Sequence, residues 1–95
     1  MDQNVNDIAV TVGVTDTPIV GANGTRKLLL LVNAGATTIF VKFRGSPNYT
    51  AAALNTGIAL APGATMVLDN NGMWYGAISG ISSAPCIIVG QETYE

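Results

Sequence analysis

Apolar and small or polar residues alternate most strictly over residues 8–14, where Ala9, Thr11 and Gly13 separate Ile8, Val10, Val12 and Val14. A period of two carried by β-branched residues marks a strand with one buried side. The same pattern predicts strands at 27–32, 37–43, 57–60, 64–68, 73–79 and 86–91. Thr17-Pro18 and Gly21-Ala22-Asn23-Gly24 punctuate a loop or a short edge strand, because proline lacks a ladder donor and glycine tolerates positive φ. About seven short antiparallel strands, turn signals at intervals of roughly ten residues and no helical periodicity predict an all-β fold. The expected architecture is a small, jelly-roll-like β-sandwich forming one domain over residues 8–95, preceded by a flexible N-terminal arm over residues 1–7.

The segment from Arg26 to Phe43 reads as a hairpin whose turn is Asn33-Ala34-Gly35-Ala36, and Asn71-Gly72 gives a second hairpin signal. Successive strand side chains point to opposite faces. Leu28, Leu30 and Val32 therefore share one side and Leu29 and Leu31 the other, while Phe40 opposes Ile39 and Val41. Both faces are apolar, whereas a small antiparallel sheet normally keeps one face wet. The outer face, with Leu28, Leu30 and Phe40 as candidate contacts, is expected to need cover from a loop or another subunit. Residues 44–57 lose the alternation and read as a surface excursion with a helical turn at residues 50–54 and Tyr49 at its centre; long irregular loops tend to carry binding.

Composition sharpens this picture. Hydrophobic residues make up 48% of the chain and charged residues 11%, against about a quarter charged in an ordinary soluble domain. Surface that is covered rather than solvated follows, since interface cores are depleted of charge. The formal net charge is −2, which argues against an electrostatic nucleic-acid binder. All four basic residues, Arg26, Lys27, Lys42 and Arg44, lie between positions 26 and 44. If the two flanking strands pair, these side chains gather at one end of the hairpin, as a solvated sheet end or a docking spot for an acidic partner. No apolar run approaches the roughly eighteen residues of a membrane span, and no basic or hydrophobic leader is recognisable at the start. Synthesis in a cytoplasm, without membrane association, is expected.

Catalytic chemistry has no foothold. The chain has no histidine, the commonest general base. Its one cysteine, Cys86, has no imidazole partner and lies in the apolar run Cys86-Ile87-Ile88-Val89, where a thiol behaves as a small hydrophobe. Asp69-Asn70-Asn71-Gly72 lacks the spacing and closing glutamate of a calcium loop, and Gly21-Ala22-Asn23-Gly24 lacks the lysine and helix of a phosphate cradle. The expectation is a non-enzymatic chain with no catalytic, metal or cofactor-binding residues. Trp74-Tyr75 is the one recognition feature: in a strand one ring enters the core and the other faces outward, so the pair supplies either a core tryptophan beside an exposed tyrosine or an exposed anchor or sugar platform.

The segments Leu31-Val32-Asn33-Ala34-Gly35-Ala36-Thr37-Thr38-Ile39-Phe40-Val41, Leu60-Ala61-Pro62-Gly63-Ala64-Thr65-Met66-Val67-Leu68, Trp74-Tyr75-Gly76-Ala77-Ile78-Ser79 and Ile88-Val89-Gly90-Gln91-Glu92 together resemble small bacteriophage virion proteins of the capsid decoration and cement class. The resemblance covers residues 28–92 and rests on turn-and-strand grammar. It implies a sandwich or jelly roll that stabilises a phage head by protein–protein contacts, as a dimer or trimer bound to a major capsid protein and located in the virion. From the residues themselves, independently of the resemblance, the expected contacts are the outer-face residues, the four basic residues, the arm before Ile8 and Trp74 or Tyr75. Related modules in tail fibres supply the alternative, a receptor-binding module for carbohydrate.

Overall fold

A computed structural model describes residues 4–44, 53–69 and 72–95. Among them the chain forms eight strands and no helix: β1 (Asn4–Val12), β2 (Thr17–Val20), β3 (Arg26–Asn33), β4 (Ile39–Arg44), β5 (Ile58–Leu60), β6 (Thr65–Leu68), β7 (Ala77–Ser82) and β8 (Cys86–Tyr94). Two four-stranded sheets have the orders β1-β8-β3-β6 and β2-β7-β4-β5, and every pairing is antiparallel. These interlocked Greek keys make an eight-stranded jelly roll. The strand beyond the seven expected is β2, which the sequence left between a loop and an edge strand. β1 begins at Asn4, so residues 4–7, expected within the arm, are ladder residues opposite Gln91–Tyr94.

The two predicted hairpins are absent. β3 pairs with β6 and β8, whereas β4 pairs with β5 and β7, so the turn after Asn33 carries the chain from one sheet to the other. β6 and β7, on either side of Asn71-Gly72, also lie in different sheets; Asn71 itself is outside the described residues. Ala61-Pro62-Gly63-Ala64 is a turn, with Ala64 N–H donating to the Ala61 carbonyl at 2.9 Å and Gly63 at φ +81°. It too is an arch between sheets. The helical turn at residues 50–54 and Tyr49 fall largely or wholly outside the described residues.

The core fills the space between the sheets. Val12, Leu29, Leu31, Ile39, Val41, Ile78 and Ile88 are fully buried and belong to one cluster. On β3 the inward positions are Leu29, Leu31 and Asn33. Asn33 closes one end of the sandwich: its Nδ2 donates to the carbonyls of Thr37 and Leu60 at 2.7 and 2.8 Å, and its Oδ1 accepts from Gly35 N–H and Cys86 Sγ. Cys86 is buried there as a packing residue with its thiol hydrogen-bonded.

Arg26 closes the other end. Parity with Leu29 points Lys27 inward, but the β3–β8 register shifts between Arg26 and Leu28, and this bulge turns Arg26 into the interior instead. Its side chain is fully buried. Nε donates to Glu92 Oε2 at 2.7 Å, Nη1 to the carbonyls of Trp74 and Gly76, and Nη2 to that of Gly21. Glu92 also accepts from Asn6 Nδ2 at 3.0 Å. Burial alone raises the Glu92 pKa. Hydrogen bonds from Asn6 and Arg26, the Arg26 charge and a hydrogen bond from Asn23 outweigh it and hold the group below its ordinary value of 4.5. The pair's stabilisation is therefore complete above 4.5 and is lost as pH falls through the depressed folded value. Glu92→Gln, which leaves the Arg26 charge uncompensated, is expected to cost about 3 kcal/mol at neutral pH. It should also flatten the acid limb of stability against pH in urea titrations; a variant with wild-type acid sensitivity refutes this assignment.

Candidate interaction surface

The outer face of the β1-β8-β3-β6 sheet is built by strand parity. Across the sheet, Val5, Thr93 and Leu28 form one row; Asp7, Gln91, Leu30 and Val67 a second; Ala9, Val89, Val32 and Thr65 a third; Thr11 and Ile87 a fourth. Leucine, valine and isoleucine dominate because β3 and β8 are apolar at both odd and even positions. On this face Asp7 accepts from Gln91 Nε2 at 2.8 Å, and the exposed Lys27 at the end of β3 lies 3.4 Å from Glu95. Leu28 is 36% exposed, Ile87 42%, Val67 52% and Val5 55%. The leucine ribbon is thus uncovered by the described residues.

The opposite outer face differs. On β7 the outward positions Ser79 and Ile81 are buried, with 0% and 8% exposure. Phe40 lies opposite Ile81 and Ala59, and Lys42 opposite Ser79, all half-buried or buried except Ala59. The sequence grouped Leu28, Leu30 and Phe40 on one outer face. The structure separates them: Leu28 and Leu30 belong to the exposed apolar sheet and Phe40 to the other side of the sandwich. The physical reason is the arch at Asn33, which sends β4 into the second sheet.

The basic residues do not gather either. Arg26 is interior. Lys27 lies 3.4 Å from Glu95 at an exposed site, and Arg44 lies 4.0 Å from Asp16. Lys42 sits in the middle of β4, on the second sheet. A basic docking patch built from all four is excluded by the separation of β3 and β4.

Trp74 and Tyr75 precede β7 rather than forming part of it. Trp74 stacks on Phe43, with ring centroids 5.5 Å apart and an interplanar angle of 10°. Its Nε1 donates to the Ala77 carbonyl at 3.0 Å, and its own carbonyl accepts from Arg26. Gly76 makes room for the indole, since a Cβ there would come within 2.7 Å of the ring. Tyr75 is 47% exposed. The pair is a packed tryptophan beside an outward tyrosine, so Trp74 offers no free platform. Among the described residues no group of three histidine, cysteine, aspartate or glutamate side chains is placed to hold a metal ion, and no helix is long and apolar enough to cross a membrane.

No protein-family model, curated protein or solved structure matches the chain. The sequence pointed to an apolar outer face but missed Val5, Ala9, Val67, Ile87 and Val89 as its members. The available signal was the odd-numbered apolar set of 87 and 89 beside the even-numbered set of β3, which only the β3–β8 pairing aligns. Trp74→Ala is expected to lower stability by about 2–3 kcal/mol through the lost stack and partial burial, whereas Tyr75→Ala should stay within about 0.5 kcal/mol. Thermal melts of the two variants check this, and equal losses would contradict the packing described.

Proposed function

We propose that this chain is a non-enzymatic structural subunit of a virion, a capsid decoration or cement protein that stabilises a phage head by protein–protein contact. The observation that carries this reading is the uncovered apolar face of the β1-β8-β3-β6 sheet, whose carboxylate, Asp7, is already hydrogen-bonded. Contiguous exposed apolar surface rimmed by polar residues is characteristic of interaction sites. Covering side chains such as Leu28, Val67 and Ile87 is worth about 1 kcal/mol each, a part of the value of full burial. Spread over many identical copies, such contacts add cohesion to a shell without any reaction.

The partner is a major capsid protein presenting an apolar or weakly polar patch, and no acidic docking site is required of it. The jelly roll suits the task because its loops lie at the two ends, leaving a broad sheet free to lie flat against a lattice. A tail-fibre or receptor-binding role remains the competing outcome of the same experiment. Purified particles should carry the chain at a copy number near that of the shell subunit, and Val67→Lys should remove it from particles while its melting temperature stays within about 2 °C of wild type. A handful of copies per particle points to the tail, and undiminished particle binding by the lysine variant removes this face from the contact.

A further inference from the structure

The two sheets have four edge strands, and three of them are protected. β5 is three residues long and β6 four. β2 is also four residues long, contains Pro18, and shifts register against β7 between Pro18 and Val20. Short length, proline and bulges are the usual means by which an edge avoids adding a foreign strand. β1 has none of them. It runs nine residues in unbroken register with β8, contains no proline, lysine or arginine, and among the described residues has no strand on its other side. Ala9 and Thr11 are exposed on it, and Asp7 is held by Gln91.

We infer that β1 is the edge at which a second copy of this chain adds to the sheet, antiparallel about a two-fold axis normal to it. Two four-stranded sheets then become one continuous sheet of eight strands. Self-complementarity identifies the occupant, because antiparallel pairing lays the strand upon itself and satisfies the same open groups on both copies. Alternate residue pairs exchange two main-chain bonds, so full overlap of two nine-residue strands makes about nine. That number is close to the roughly ten hydrogen bonds of a specific interface. With the axis at Ile8, Asp7 faces Ala9 of the second copy rather than another carboxylate, so charge does not oppose the pairing. The axis also keeps both outer faces on one side, extending the apolar surface. That last consequence rests on the proposed use of the face.

Sedimentation equilibrium and residue-level hydrogen exchange on the full chain test the edge. The expected result is a dimer in which alternate β1 amides are protected and lose protection on dilution. Ala9→Asp, at an exposed position, sets a carboxylate opposite Asp7 of the second copy at two symmetric places in this register and should shift the mass from dimer to monomer, with the melting temperature of the diluted wild-type chain. Val67→Lys, at the far edge of the same sheet, should leave the dimer intact although it abolishes particle binding. A chain monomeric at every concentration, a dimer whose β1 amides exchange freely, or a dimer lost only with Val67→Lys overturns the edge assignment. Each of these outcomes is independent of the particle-binding result that judges the capsid role.

Discussion

A charge buried between two sheets governs how this sandwich closes. Arg26 is a cation without water, and its position is tolerable only because Glu92 and the carbonyls of Gly21, Trp74 and Gly76 surround it. Removing two charges from water costs several kcal/mol per ion, and good geometry with full hydrogen bonding is what offsets it. The guanidinium therefore dictates where four segments must lie: β3, β8, the loop after β2 and the loop before β7. Trp74 inherits its position from the same contact, and through its stack on Phe43 the end of β4 is fixed as well. Asn33 acts comparably at the opposite end of β3, so one strand anchors both rims of the core.

The strand grammar was readable because alternation is enforced by burial. Ile8, Val10 and Val12 point inward as their spacing requires, and β3 was correctly divided into two apolar sides. Topology was less accessible. Asn33-Ala34-Gly35-Ala36 contains good reversal residues, yet reversal chemistry does not distinguish a return within one sheet from an arch to the next. What decides is the destination of the Asn33 amide, which reaches Thr37 and Leu60 across the arch. A turn residue exposed to solvent and a buried one bracing two sheets look identical in sequence.

The charged residues were the least legible. Four basic side chains close together along the chain suggested a cluster, but a single-residue bulge placed Arg26 inside, and the crossover separated the other members. Neither event leaves a sequence signal, since strand parity places Lys27 rather than Arg26 on the Leu29 side and only the register of β3 with β8 reveals the bulge. Trp74 and Tyr75, by contrast, kept the division of roles expected of adjacent residues even outside a strand, because packing on Phe43 admits one ring only. The exposed face was foreseen in kind and not in extent: β3 alone was visible, while the contributions of β1, β6 and β8 depended on their non-local alignment.

β8 is the last of the eight strands in order of synthesis, yet it occupies an interior place in its sheet, between β1 and β3. A nascent chain on the ribosome consequently holds β1 with no ladder partner until residues 86–94 have been made. Such non-local closure is slow and leaves strand edges open meanwhile. The scarcity of charge that suits the finished molecule to close packing thus becomes a hazard during its birth, one that only the arrival of residues 86–94 brings to an end.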